Sequence, residues 1–384
     1  MRQPFVERPM GSILQAFQHA VRDKVFPGAV VLVRYRGTVV VHEAVGVRGE
    51  PPDDQPVQRT SVYDLASLTK PLATATAVLC LVQDGRLQVD QSVQHWVEEF
   101  RGSPFAAVTL RHLLSHSAGL PAWRPYYEWL APAGAPPRDE AERLQRVHVL
   151  LQAIAREAVE YRPGSRSLYS DVGFLILGAI VERCAGMSLA AYCRQKIYEP
   201  FAVSSLGFPG CDDADMAWAA GTAVVPTEWD AWRNRLLCGE VHDENAAALG
   251  GIAGHAGLFG TAHAVSRLSA VWLQAVQGRA GVLNADLAQH FTRRQHGIPL
   301  SSWGLGWDTP SSPSSSGTRF SSRAFGHVGF TGTSLWVDPS CELEVVILSN
   351  RVHPTRTNRA IATFRPRIHD VIYQECVGRE SVGG

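Results

Sequence analysis

A serine and a lysine three residues apart form the pair in this sequence that is best suited to covalent catalysis. Ser67 and Lys70 stand where a polar turn beginning at Asp64 enters a long apolar helix. Side chains at this spacing share one helix face, so the hydroxyl is expected to lie beside the amine. A partly desolvated lysine can relay the proton of a serine, and the amides of a helix N-terminus can stabilise an oxyanion.

The choice of lysine at this position is itself informative. Lys24, Lys70 and Lys196 are the three lysines among 36 cationic residues, so arginine has taken almost every other basic position. Arginine cannot accept a proton near neutral pH, whereas lysine can be tuned to do so. The motif is short enough to arise by chance, and the alternative is a serine near a helix start with a solvated lysine.

Composition limits the possible functions. The 384 residues are 45% hydrophobic and 19% charged with a net charge of zero, which gives no support to nucleic-acid binding or electrostatic membrane binding. The polar N-terminus is followed by no apolar run typical of a signal peptide or a membrane span, so we expect a cytoplasmic protein. The seven cysteines lack Cys-x-x-Cys spacing and are expected to be reduced thiols.

The spacing of apolar residues predicts the elements that must position the pair. A helix over 11–25 precedes a hairpin whose strands, 29–35 and 38–45, meet across Arg36-Gly37. The later predictions are helices over 71–82, 110–120, 141–160, 174–181, 189–197, 261–277 and 361–374, and strands over 304–308, 324–329, 333–338 and 344–349.

Strand-rich ends therefore bracket a helical middle. We expect an α+β fold in which residues 1–60 and 251–384 form one antiparallel sheet flanked by the N- and C-terminal helices. Residues 61–250 are expected to be inserted as a mainly helical domain, with the active site between the two domains.

Three motifs follow one another along the chain: Ser67-Leu-Thr-Lys70, Tyr169-Ser-Asp171 and His327-Val-Gly329. With the run from His112 to Leu120 and the glycine-rich run 254–259, they resemble the serine β-lactamase and penicillin-binding-protein superfamily, nearest its class C-like esterase and peptidase branch. The resemblance covers nearly the whole chain. It implies a β-lactamase/transpeptidase-like fold and a serine hydrolase that acts through an acyl-enzyme on small esters, amides or peptides, without a cofactor or a metal.

The resemblance also implies a role for each site residue. Tyr169 would relay protons, and we expect the adjacent Lys70 to lower the pKa of its phenol from the usual value near 10. The full set is the nucleophile Ser67, its activating partner Lys70, the relay Tyr169, the oxyanion-hole amides of Ser67 and Phe330, and the substrate-binding residues Asp171, His327 and Gly329.

Two departures from the family pattern alter the expected substrate. The family's Lys-Thr-Gly motif is His327-Val-Gly329 here, which should weaken recognition of a substrate carboxylate at pH 7. This favours an esterase or amidase over an efficient β-lactamase. Asp171 replaces the family asparagine, and as a carboxylate it would favour a protonated Lys70 and shift the proton relay toward Tyr169.

Other functions compete with this interpretation. The same departures are compatible with a slow-acylating or non-catalytic penicillin-binding sensor. A metal hydrolase could use His112 and His116, which are four residues apart, but no Glu completes an HExxH motif. His242 and His255 either add metal ligands or line the pocket. The aromatic run either forms an acyl-group pocket or is a packed loop; its members are Trp123, Tyr126, Tyr127 and Trp129.

Overall fold

The computed structural model describes residues 11–51, 54–209 and 223–378. The helix Asp171–Ala185 ends at Gly186, which takes the left-handed conformation. The α-helices of the described residues are Gly11–Arg22 (α1), Thr76–Gln83 (α2), Leu110–Leu114 (α3), Tyr127–Leu130 (α4), Glu140–Ala155 (α5), Asp171–Ala185 (α6), Leu189–Cys193 (α7), Glu244–Ala248 (α8), Ala262–Val276 (α9), Ala285–Thr292 (α10) and Ile361–Cys376 (α11).

The strands form one large sheet and two small ones. They are Gly28–Tyr35 (β1), Thr38–Gly46 (β2), Tyr63–Asp64 (β3), Leu206–Gly207 (β4), Trp229–Asp230 (β5), Arg235–Leu236 (β6), Phe259–Gly260 (β7), Phe325–Val328 (β8), Ser334–Asp338 (β9) and Leu343–Ser349 (β10). The large sheet has the order β2-β1-β10-β9-β8, and all of its pairs are antiparallel. It therefore joins strands from the two ends of the chain, as the sequence predicts.

The alternation of side chains along β1 divides the core in two. Val30 and Leu32 face a large cluster shared with the helical middle, whereas Val31 and Val33 face a smaller cluster. The smaller cluster includes residues of α1 and α11, which cover that face of the sheet. Helix α9 contacts β1 and β10. Because both faces are covered, β1 is apolar almost throughout rather than alternating with polar residues.

The segment that carries Ser67 is less regular than predicted. A 3₁₀ turn spans Ala66–Leu68, a π-helical stretch spans Lys70–Ala75, and only then does α2 begin. The stretch Lys70–Ala75 is buried throughout, and the segment ends at Asp84 with Gly85 in the left-handed conformation, as predicted. Wide helical turns are often found at functional sites, where they re-aim one side chain.

Several predicted elements are shorter or absent. The helix predicted over 110–120 stops at Leu114, because His116 takes a left-handed backbone conformation with φ of 53°. The strand predicted over 304–308 is wrong: Gly306 (φ 83°) turns the chain, and only isolated bridges through Asp308 remain. The helix predicted over 174–181 exists as part of α6. The helix predicted over 189–197 exists as α7 followed by a π-helical turn.

Two further properties concern the described residues alone. No single helix among them is long and apolar enough to cross a membrane, although the bent pair formed by Asp171–Ala185 and Leu189–Tyr198 meets the length and composition required. Six of the seven cysteines lie in the described ranges, and no disulfide joins them there. Cys211 lies outside the described residues.

Candidate active site

A strained turn presents Ser67 to solvent. Ala66, the preceding residue, has a φ of 48°, which L-residues adopt at a cost of about 1–3 kcal/mol and which clusters at functional sites. Asp64 stabilises this conformation, because its Oδ1 accepts the amide of Ala66 at 2.8 Å and its Oδ2 accepts the amide of His242 at 2.7 Å. Asp64 itself is buried, so the turn is fixed from inside the protein.

Lys70 lies directly beneath the serine and is wholly buried. Its Nζ is 3.0 Å from Ser67 Oγ, 2.6 Å from Asp171 Oδ1 and 3.2 Å from the carbonyl oxygen of His255. A protonated amine has three N–H donors, and three acceptors surround it here. The contact predicted from the three-residue spacing is therefore present.

Tyr169 completes the cluster from the loop before α6. The centre of its ring lies 4.9 Å from Nζ of Lys70. The ring packs between His116, at 4.6 Å between centroids, and Trp303, at 5.4 Å. Nδ1 of His116 accepts the amide of Ser170 at 3.1 Å, which ties the loop to the chain before it.

The charges in this cluster differ from our expectation for the tyrosine. Burial acts to lower the pKa of Lys70, but Asp171 and Tyr169 together outweigh it, so the pKa is raised and the amine is an ammonium ion. Burial also raises the pKa of Tyr169, and the positive charge of Lys70 offsets this only in part. Lys70 therefore lowers the pKa of this phenol, as predicted, but desolvation is the larger effect and the net pKa is raised instead of lowered.

The turn between β8 and β9 forms the opposite wall of the site. Gly329 must be glycine, since a Cβ there would lie 2.0 Å from Thr333 Oγ1 and 2.6 Å from the carbonyl oxygen of Leu65. The hydroxyl of Thr333 donates to that same carbonyl at 3.0 Å. The turn is thus fastened to the segment that carries Ser67, and Phe330 lines the cleft next to it.

His327, on β8, is neutral and cannot supply a positive charge. Burial, with a smaller contribution from Lys70, lowers its pKa to about 3. Nδ1 lies 2.9 Å from the carbonyl oxygen of Val328, so in the neutral ring Nδ1–H donates to it. Nε2 then carries a lone pair, and it is buried without a hydrogen-bond partner among the described residues. His327 therefore offers an acceptor to the cleft where a lysine would offer a cation.

The cleft above these residues has a volume of about 880 Å³. It brings together most of the predicted site, with Lys70 lying beneath its floor. The predicted site residues that line it are Ser67, Tyr169, Asp171, His327, Gly329 and Phe330.

One wall of this cleft is rich in arginine and was not predicted from the sequence. Four arginines line it, and they come from the segment after β10 and from α11; they are Arg351, Arg356, Arg359 and Arg365. The four arginines lie close together in the sequence after the last strand of the sheet, and this spacing is the signal that could have located them. Arg356 is paired with Glu228 at 2.6 Å and with Glu244 at 2.8 Å.

The other histidines that the sequence offers as metal ligands, His112, His242 and His255, have local partners. Nδ1 of His112 lies 3.2 Å from the amide of Thr109, and the groups able to hold a metal do not cluster within the described ranges. His242 pairs with Glu228 and His255 with Asp243, each at 2.7 Å, and both histidines line the cleft.

The aromatic run beginning at Trp123 is divided between cleft and loop. Trp123 lines the cleft, whereas Tyr126 is buried in the large core cluster. The indole of Trp129 is 46% exposed outside the cleft lining. Trp123 alone among the four aromatic residues is therefore available to a substrate.

Comparisons with known proteins agree with this geometry. A protein of Escherichia coli strain K12 named D-alanyl-D-alanine carboxypeptidase is 32% identical over 356 residues, which cover 86% of this chain and 80% of the relative. The structure of EstCE1, a hydrolase with promiscuous acyltransferase activity, superposes with a TM-score of 0.72 at 22% identity and covers 96% of this chain and 99% of that one.

A second structure gives the same fold. The octameric penicillin-binding protein homologue from Pyrococcus abyssi has a TM-score of 0.72 at 19% identity, covering 97% of this chain and 80% of that one. The sequence model of the Beta-lactamase family matches residues 13–368. The chain therefore belongs to the beta-lactamase family, and it is a serine hydrolase that acts through an acyl-enzyme on small-molecule or peptide substrates.

Proposed function

We propose that Ser67 is the acylated nucleophile, that Tyr169 relays its proton and that the ammonium of Lys70 stabilises the negative charge that develops. The observation that carries this assignment is the position of Lys70 Nζ, 3.0 Å from the serine oxygen and 2.6 Å from Asp171. The backbone amides of Ser67 and Phe330 would hold the oxyanion. Loss of one such donor typically costs a factor of about 10²–10³ in kcat.

The raised pKa of Tyr169 decides how the proton travels. A neutral phenol can accept the proton of Ser67 while it gives its own proton to the leaving group, so no tyrosinate is required. Ser67 Oγ forms a bond to the substrate carbonyl carbon, and the bond to the leaving group breaks as that group is protonated. The ammonium of Lys70 stabilises the negative charge that develops on the side-chain oxygens of Ser67 and Tyr169. Water then takes the place of the leaving group and attacks the acyl-enzyme carbonyl carbon, and Tyr169 passes its proton back to Ser67. The acyl group is released.

The substrate we propose is a short peptide ending in D-alanyl-D-alanine, with simple esters as alternative substrates. The names of the relatives suggest this peptide end. His327 Nε2 would accept an N–H or O–H group of the substrate. Because His327 is neutral, a terminal carboxylate would instead face the arginine wall, where Arg359 is exposed at the cleft.

Mass spectrometry of the intact protein tests the assignment. We expect a mass increase at Ser67 after mixing with a penicillin, and release of D-alanine from an acetylated lysyl-D-alanyl-D-alanine peptide. p-Nitrophenyl butyrate should also be turned over. Absence of an adduct and of turnover with all three compounds would refute the acyl-enzyme assignment for this site.

A second function is favoured by one observation. Neither Lys70 nor Tyr169 is poised as a base near neutral pH, because the pKa of each is raised. A protein of this kind could acylate slowly and hold its ligand as a sensor. A stoichiometric adduct that persists without turnover of any of the three compounds would favour the sensor over the hydrolase.

Replacing Asp171 by asparagine should make the activity pH-dependent. In the natural protein the pKa of Lys70 and that of Tyr169 are both raised from their ordinary values, so neither group changes its charge near neutral pH and kcat/KM is expected to be flat between about pH 6 and pH 9. Burial lowers the pKa of Lys70, and the Asp171 carboxylate opposes this effect. Without the carboxylate, the pKa of Lys70 falls. In Asp171→Asn, kcat/KM should then decrease as pH rises through the lowered pKa. An increase with pH would show that the neutral amine is the base and would contradict the tyrosine relay.

A further inference from the structure

A buried arginine donates to the peptide group that carries the second oxyanion-hole amide. Nη2 of Arg365 lies 2.8 Å from the carbonyl oxygen of Gly329 and 2.9 Å from that of Thr333. The carbonyl of Gly329 and the N–H of Phe330 belong to one planar peptide group. A hydrogen bond to the carbonyl oxygen polarises this group, which strengthens its N–H as a donor.

The guanidinium of Arg365 has no carboxylate to neutralise it within the described ranges. The residue is only 9% exposed, and burial followed by repulsion from Arg351 lowers its pKa to about 9. A buried charge without an opposite charge is costly unless hydrogen bonds compensate it. The two carbonyl oxygens of the β8–β9 turn accept from Nη2, whereas Nε is buried without a partner among the described residues, so the hydrogen bonding of the guanidinium is directed onto this turn.

A second arginine acts on the next peptide group. Nε of Arg351 lies 2.8 Å from the carbonyl oxygen of Phe330, and its guanidinium carbon is 4.3 Å from the centre of the Phe330 ring. Both peptide groups that flank Phe330 Cα are therefore held by cationic donors. This arrangement leaves the orientation of the Phe330 amide little freedom.

We propose that Arg365 is a positioning residue for acyl transfer, because its guanidinium orients and polarises the Gly329–Phe330 peptide so that the Phe330 N–H donates more strongly to the oxyanion. This inference rests on the proposed function, in which Ser67 is acylated and Phe330 supplies that donor. In this role Arg365 acts through the peptide group, because its Nη2 donates to the two carbonyl oxygens of the turn.

The test is the infrared stretching frequency of the acyl-enzyme carbonyl, labelled with ¹³C in an acylating ester. In Arg365→Gln the band should move to higher wavenumber, because a weaker donor polarises the carbonyl less. The value of kcat should fall about ten-fold, less than for outright loss of a donor, while KM changes by less than about two-fold. Arg367→Gln, an exposed change in the same helix, is the matched control and should leave band and rate unchanged.

Arg365→Lys keeps the result interpretable if the glutamine variant does not fold. Lysine keeps the positive charge but has a shorter side chain without the planar fork, so its amine does not reproduce the position of Nη2 and the band should shift in the same direction by a smaller amount. An unshifted band in folded, acylated Arg365 variants would overturn the inference, even if their rates were lower. Absence of a Ser67 adduct in the natural protein would refute the proposed function instead, so the two failures are distinguishable.

Discussion

Replacing Ser67 by alanine is expected to lower kcat/KM by at least about 10⁴-fold, since removal of a nucleophile abolishes the covalent route. The fold should be retained, because Ser67 is partly exposed and Lys70 keeps its contacts with Asp171 and the His255 carbonyl. Ester turnover and the penicillin adduct, measured with the thermal unfolding midpoint, check both expectations. Ser311→Ala, an exposed serine change, is the control.

An unchanged turnover in Ser67→Ala would contradict the assignment of the nucleophile. Loss of the adduct with a normal unfolding midpoint would support it. A lower midpoint in Ser67→Ala alone would show that the hydroxyl contributes to stability as well, and the adduct would then be measured at a temperature where the variant is folded.

Arginine at position 70 should be nearly as damaging as loss of the serine, with a fall in kcat of about 10³-fold. Lys70 Nζ is fully buried and reaches three acceptors that surround a compact ammonium. A planar guanidinium is larger and cannot point toward Ser67, Asp171 and the His255 carbonyl at once. Because Lys70→Arg keeps the positive charge, its effect on the rate reports the position of the donor atoms and not the charge.

Steady-state kinetics of Lys70→Arg, with Lys196→Arg as an exposed control, measures this effect. A rate close to that of the natural protein would show that a positive charge suffices beneath the serine. That result would refute the role we assign to the position of Nζ. Unfolding of both variants should be recorded, since overpacking of a buried site can cost about 1–3 kcal/mol.

Much of the fold could be predicted because its signals are local. Alternation and turn residues located the hairpin of β1 and β2 and the three strands near the C-terminus. The Ser67–Lys70 contact also follows from local spacing. Family membership, the fold class and the acyl-enzyme hydrolase activity are confirmed. The individual roles of the site residues and the domain boundaries stay predictions.

The features that were missed depend on burial and on distant segments. The sign of the pKa shift at Tyr169 is set by how completely neighbouring residues exclude water, which spacing does not give. The left-handed Ala66 is stabilised by Asp64, whose own position depends on the amide of His242 far along the chain. The arginine wall arises only when the segment after β10 folds across the cleft.

The pairing of β1 with β10 has a consequence for synthesis of the protein. Val31 lies opposite Ile347, so two strands at the centre of the sheet are separated by most of the chain. Until β10 has been translated, β1 of a ribosome-bound chain has only β2 as a partner in the large sheet. The turn bearing Phe330 is likewise held by Arg351 and Arg365, which emerge later. We therefore expect that a nascent chain cannot form the acyl-enzyme until Arg365 has been translated and has folded against this turn.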